Sequence, residues 1–255
     1  MMPAFVVIPA ALFGLIVGSF LNVVIYRVPR GESIAFPASH CPTCAHPLAA
    51  YENLPLVSWL IQGGKCRHCK APISLRYPLV EAMTAALFAL TVVVYGLTID
   101  ALGVALLAAT LIAVVFIDLD HLLILDVVIA PAALIGLVEA IVGGRILDAL
   151  AGALAGGAIF GLLYLVTRGA GMGLGDAKLA LVIGLFLGLH LTIAATAFSF
   201  VFGSLLMLPV LAAGVRGRRD AVPFGPFLVL GALAALYVPN ALAWVPGLAR
   251  LPFGT

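Results

Sequence analysis

Residues 4–26, AFVVIPAALFGLIVGSFLNVVIY, run from Ala4 to Tyr26 without one charged side chain. Such a run is long enough to cross the hydrocarbon of a bilayer as a helix. It is too long for the apolar core of a secretory signal, about 7–15 residues, and no basic stretch precedes it. A retained membrane helix is the expected reading.

The rest of the chain agrees. Of 255 residues, 64% are hydrophobic and 9% are charged, with a mean hydropathy of +1.24. A water-soluble domain has about a quarter of its residues charged. The expected fold class is therefore an all-α polytopic membrane protein. Apolar runs predict about eight transmembrane helices, at 4–26, 78–97, 101–117, 127–143, 148–167, 177–190, 192–213 and 225–247. Within 148–163, DALAGALAGGAIFGLL, small residues recur at spacing four (Gly152 and Gly156, Ala153 and Gly157), the pattern of close helix packing in lipid. A formal net charge of +2 gives no reason to expect a nucleic-acid partner; membrane lipid is the expected surrounding.

Lysine and arginine orient the spans. Counting the flanks alternately, eleven of the 13 basic residues fall on one side: Arg27, Arg30, Lys65, Arg67, Lys70, Arg76, Arg168, Lys178, Arg216, Arg218 and Arg219. Only Arg145 and Arg250 fall on the other. The long loop 27–77 and the turns at 118–126, 168–177 and 214–224 are thus expected to be cytoplasmic, with both termini outside. Three parts follow: a first helix (1–26), a cytoplasmic cysteine-rich loop (27–77) and a membrane core (78–255).

The loop is too short to build a full core, and small domains of that kind are commonly stapled by a metal. It holds the chain's four cysteines as CPTC (41–44) and CRHC (66–69), separated by twenty-one residues. Each CxxC aims two thiolates at one ion. Cys41, Cys44, Cys66 and Cys69 together predict a closed tetrahedral sulfur cage, structural rather than catalytic, suited to zinc. Iron would fit the same donors. Two redox pairs or four metal-free thiols are the competing readings. His40, His46 and His68 read as surface neighbours.

Carboxylates at membrane depth are costly and point to function. Glu32 and Glu52 lie in the loop; Asp100, Glu139 and Asp148, near the outer side, and Asp220, in a basic turn, read as solvated. Glu81, the group Asp118, Asp120 and Asp126 in FIDLDHLLILD (116–126), and Asp176 in GMGLGDAKLA (171–180) remain. Asp118 and Asp176 fall at the same membrane face. Two adjacent carboxylates share one proton: the ionised one activates water and the protonated one hydrogen-bonds the scissile carbonyl. Gly171, Gly173 and Gly175 accept left-handed backbone and give room for a substrate strand. The same residues read equally well as an ordinary turn, with Asp176 capping the next helix and Lys178 as an interfacial charge. Among the possible partners Asp118 sits deepest, whereas Asp120 is nearer solvent and Asp126 is placed to cap the following span.

Taken in order, several segments resemble the type IV prepilin peptidases, membrane aspartic proteases of the GxGD class. They are GSFLNVVIYRVPRGES (18–33), the two CxxC pairs, APISLRYPLVE (71–81), FIDLDHLLILD, GMGLGDAKL and VPFGPFL (222–228). One departure is Leu125, where the family usually has proline. The resemblance implies Asp118 and Asp176 as the catalytic pair, with Gly173, Gly175 and Lys178 at the substrate approach. It implies an enzyme of the cytoplasmic (inner) membrane that removes basic leader peptides from prepilins and pseudopilins at the cytoplasmic face. The full cysteine loop further implies methylation of the new N-terminus, with S-adenosylmethionine as donor. Asn22, Arg27, Glu32 and Glu81 are the polar candidates near that loop for methyl transfer, with packing, anchoring or ion pairing as their other reading. A proton-coupled transporter using the same aspartates as a relay is the alternative; a non-catalytic assembly factor that docks through the loop is a third.

Overall fold

The computed structural model describes residues 2–213 and 223–238. The described residues are helical apart from turns and two isolated bridges. The chain divides into two compact units, 1–101 and 102–255.

In the first unit, α1 (Ala4–Arg27) packs along α3 (Arg76–Tyr95). The contact runs through glycines one turn apart. A Cβ on Gly14 would stand 2.7 Å from the Ala85 Cα, and one on Gly18 would stand 2.7 Å from the Glu81 Cα. Backbones that close gain dispersion contacts that lipid tails cannot match. Between the two helices runs the cysteine loop, with 3₁₀ turns at Val28–Arg30 and Ala50–Asn53 and the short helix α2 (Val57–Ile61).

The second unit holds α4 (Ile99–His121), α5 (Asp126–Val142), α6 (Ile146–Thr167), α7 (Leu174–Ala212) and α8 (Gly225–Tyr237). Helix α7 is not one rod. Gly188 interrupts it with φ 70° and ψ −179°. A Cβ on Gly156 of α6 would lie 2.6 Å from the Ala180 carbonyl before the break and 3.1 Å from Thr192 Cγ2 after it. The chain therefore reverses at Gly188, and α6 packs against both arms. Gly152 packs against Gly184 and Gly188, so the small-residue stripe expected on 148–163 serves this contact.

The reversal leaves main-chain groups bare on both sides, and side chains fill them. Arg145 Nη1 donates to the Phe186 carbonyl at 2.9 Å and to Leu185 at 3.3 Å. Asp148 Oδ1 accepts the Leu189 N–H at 3.1 Å. Glu139 is buried and lies 3.8 Å from Arg145, with Gly103 of α4 against its carboxylate. The expectation that Glu139 is solvated is thereby corrected, since its side chain is buried; Asp148 is exposed, as expected, and its carboxylate also caps the Leu189 N–H. The signal was Arg145 between them, which sequence order alone could not pair with a turn forty residues on.

Helix positions match the expected spans closely, except that the break expected at residue 191 falls at Gly188. Five described helices are long and apolar enough to cross a membrane: Ala4–Arg30, Arg76–Tyr95, Ile99–His121, Ile146–Thr167 and Leu174–Pro209. Helix α5 is shorter, and the span expected over 225–247 is described only to residue 238. Arg216, Arg218, Arg219, Asp220 and Arg250 lie outside the described residues. Leu147, Leu154, Leu162 and Leu165 of α6 are exposed, as suits a surface bathed in hydrocarbon.

Candidate active site and metal centre

Asp118 comes from the last turn of α4 and Asp176 from the first turn of α7, and both are buried, at 5% and 8% exposure. They are close enough for the charge of Asp118 to act directly on Asp176. Each carboxylate is oriented by one main-chain N–H. Asp118 Oδ2 accepts from Gly225 at 2.9 Å. Asp176 Oδ2 accepts from Gly173 at 3.1 Å, while the Asp176 N–H returns a bond to the Gly173 carbonyl at 3.2 Å. Asp176 therefore lies within the first turn of α7 rather than capping it from in front, and one of its oxygens reaches back to the Gly173 N–H.

The glycines of this turn act through closeness. Left-handed backbone falls on Arg168 (φ 51°) and Gly169 (φ 77°), not on Gly171, Gly173 or Gly175. A Cβ on Gly175 would stand 2.8 Å from Ile124 Cβ, and one on Gly173 would stand 3.2 Å from Asp176 Oδ2. Missing side chains therefore let the start of α7 press on the α4–α5 turn and let its main chain reach the carboxylate.

Asp120 is exposed. Lys178 points to Asp126, with Nζ 2.8 Å from both carboxylate oxygens, and the pair is open to solvent. His121, one turn from Asp118, has a buried Nε2 with no hydrogen-bond partner among the described residues.

Gly225 holds a place at the site that its sequence neighbourhood did not single out. Its N–H is one of the donors that a helix start leaves unpaired, and Pro226 behind it favours that start. Phe224 anchors the position, with ring centroids 5.7 Å from Phe160, 5.2 Å from Phe200 and 5.9 Å from Phe227. The glycine–proline pair opening an apolar run was the available signal.

In the other unit, the four cysteine sulfurs lie within 4.8 Å of one another, and Cys41 and Cys69 Sγ are 3.9 Å apart. Four sulfurs at the usual zinc distance stand about 3.8 Å from each other. Two matching knuckles hold them. Cys41 N–H donates to the His46 carbonyl and Ala45 N–H to Cys41; Cys66 N–H donates to Ala71 and Lys70 N–H to Cys66, all at 2.8–3.0 Å. Ala45 and Lys70 take the same left-handed turn, φ 57° and 62°. The His46 and His68 rings stack at 4.6 Å, and the cage needs neither. Burial opposes the Cys41 thiolate, but N–H groups of Cys44 and Thr43 and neighbouring thiols bring its pKa down to about 6. The His46 N–H favours the Cys44 thiolate, yet burial and the other sulfurs push that thiol up to about 12. Crowded thiols competing for one negative charge are what a divalent cation relieves.

Comparison with known proteins follows the division into units. The family model described as the bacterial Peptidase A24 N-terminal domain matches residues 12–95, and that of the type IV leader peptidase family matches residues 105–208. The chain is 36% identical over 264 residues to the prepilin leader peptidase/N-methyltransferase of Aeromonas hydrophila, with 91% of each chain covered. The chain belongs to the type IV leader peptidase family. Proteins of the same name from Pseudomonas aeruginosa (36% over 263 residues) and Neisseria gonorrhoeae (37% over 265) each match 92% of this chain and 91% of their own. No solved structure matches it.

Within the part matched by this family's N-terminal domain, three of the four methyl-transfer candidates are buried and tie main chain together. Asn22 Nδ2 donates to the Tyr77 carbonyl at 3.1 Å. Arg27 donates to the carbonyls of Ser33 at 2.9 Å and Pro37 at 2.8 Å. Glu81 Oε2 accepts the Leu56 N–H at 2.8 Å. Glu32 is exposed.

Proposed function

We propose that the chain is a membrane aspartic endopeptidase that removes the basic leader peptide from prepilins and pseudopilins, with Asp118 and Asp176 as its catalytic pair. The observation that carries this reading is the pair itself: two buried carboxylates from the ends of two membrane helices, each oriented by a main-chain N–H. The ionised member takes a proton from water, whose oxygen attacks the scissile carbonyl carbon. The protonated member hydrogen-bonds the carbonyl oxygen. Collapse of the tetrahedral intermediate breaks the C–N bond, and the amine leaves with a proton. Gly173, Gly175 and Lys178 border the approach to the pair.

The basic-residue asymmetry supports an active site at the cytoplasmic face of the inner membrane, both termini outside, and eight crossings in which the arms of α7 count separately. The parts assigned are 1–26 as first helix, 27–77 as metal loop and 78–255 as peptidase core, in contact with lipid and not with nucleic acid. Zinc, bound by Cys41, Cys44, Cys66 and Cys69, would brace the loop structurally. Methylation of the new N-terminus from S-adenosylmethionine is assigned to the first unit. There Asn22, Arg27 and Glu81 act first as ties of the fold, and Glu32 is the most accessible of the four.

The test is incubation of purified chain with a prepilin and labelled S-adenosylmethionine, reading cleavage and methyl incorporation together. Asp118→Asn and Asp176→Asn should each abolish cleavage while the protein still inserts. Processing by either variant at near the wild-type rate would sink the assignment. Ion flux in vesicles that depends on Asp118, without cleavage, would favour a transporter instead.

A further inference from the structure

Residues 54–61, between the cysteine pairs, belong by sequence to the soluble loop, yet the structure ties them to the shafts of the membrane helices. The Leu56 N–H donates to Glu81 Oε2 at 2.8 Å. Glu81 is five residues inside α3, about 7.5 Å along its axis at 1.5 Å per residue. Across from it on α1 is Gly18, where a Cβ would stand 2.7 Å from the Glu81 Cα, nine residues before the end of α1, or about 14 Å by the same rise. Leu56 therefore sits beside α1 and α3, below their ends, and α2 starts from that depth.

The side chains presented there are apolar and uncovered. Leu54 is 50% exposed, Val57 49%, Leu60 68% and Ile61 81%. Four large apolar side chains exposed within eight residues need a non-aqueous neighbour. At this depth beside two apolar helices, that neighbour is the bilayer. Charge agrees: Lys65 and Lys70 follow α2 in the loop and are exposed, and cations flanking an apolar tip suit an anionic headgroup layer.

We propose that segment 54–61 dips back into the membrane leaflet on the loop's side. Leu54, Val57, Leu60 and Ile61 enter the boundary between headgroups and acyl chains, and Lys65 and Lys70 rest on anionic lipid headgroups. The metal loop is then pinned flat to the membrane rather than standing in water. This inference needs only that α1 and α3 cross a membrane, not the catalytic reading.

The chain carries its own probe. It has two tryptophans, and Trp59 lies in α2, fixed by an Nε1 hydrogen bond to the Ile73 carbonyl at 3.2 Å and by packing on Gly64. In a Trp244→Phe background the full chain is reconstituted into phosphatidylcholine vesicles with and without phosphatidylglycerol. Trp59 emission should be quenched by lipids carrying a nitroxide near the headgroup more than by deep-labelled lipids, and little by aqueous acrylamide. Leu60→Glu with Ile61→Glu should shift emission to the red and exchange lipid quenching for acrylamide quenching, with zinc content unchanged. Lys65→Gln with Lys70→Gln should abolish the difference between the two vesicle types. Strong acrylamide quenching without lipid quenching in the parent chain overturns the proposal, whether the tip then stands in water or meets another protein. That measurement alters nothing in α2, so it decides even if the glutamate variant fails to fold. An unchanged lipid dependence in the lysine variant overturns the headgroup contact.

Discussion

At the scale of single residues, the candidate pair depends on side chains that are missing. A Cβ on Gly225 would stand 2.5 Å from Asp118 Oδ2 and 3.1 Å from its Cγ, so alanine there must push the carboxylate aside. A displacement of about 1 Å in a reacting group costs on the order of a hundredfold in rate. We expect Gly225→Ala to lower kcat for prepilin cleavage by about that factor, with melting temperature little changed because alanine is the better helix former. Parallel cleavage kinetics and thermal melts check this. FGPF showed a helix start, but only the fold brought that start to a carboxylate 107 positions earlier. Asp176 differs: its hydrogen-bond partner, Gly173, is three residues away, so its surroundings were half legible in GMGLGDAKLA.

At the scale of elements, the reversal of α7 is the feature most exposed to substitution. Gly188 combines positive φ with extended ψ, and a side chain there meets the Asp148 carboxylate. Backbone with positive φ and extended ψ is essentially open to glycine alone and costs any other residue about 1–3 kcal/mol. Gly188→Ala should therefore destabilise the chain by at least about 1 kcal/mol, and Asp148→Ala, which uncaps Leu189, by about 1 kcal/mol; denaturant melts in detergent measure both. The Lys178–Asp126 link between α5 and α7 is solvent-exposed, so a double-mutant cycle should return only about 0.2–1 kcal/mol. In the cysteine loop, Cys44 is pushed up to about 12 without metal, so it keeps its proton at neutral pH and zinc must displace it. Zinc affinity should therefore rise with pH and fall on acidification, a sign that competition with a chelator across pH 6–8 would read. The two knuckles were plain in the sequence because their partners lie within five residues. The small-residue stripe of 148–163 was equally local in pattern, but the arms of α7 that it meets are set by the fold.

At the scale of the whole molecule, the four cysteines belong to one unit, 1–101, and the two aspartates to the other, 102–255. Cys41→Ser with Cys66→Ser should strip zinc and loosen the first unit, reducing methylation more than cleavage. Equal loss of both, in the labelled prepilin assay with zinc measured alongside, would show that the loop only supports the fold. The membrane class, the position of nearly every described helix and the pairing of the four cysteines followed from sequence alone, because hydropathy and short-range spacing act through neighbours along the chain. Tertiary structure alone decided that Gly225 orients Asp118, that Arg145 and Asp148 close the turn at Gly188, and that Glu81 draws Leu56 down beside the helix shafts. Each of these joins residues 25 or more positions apart. Such contacts are chosen by which helix faces pack closely enough to let a buried polar group find its partner, and no periodicity along one segment encodes that choice.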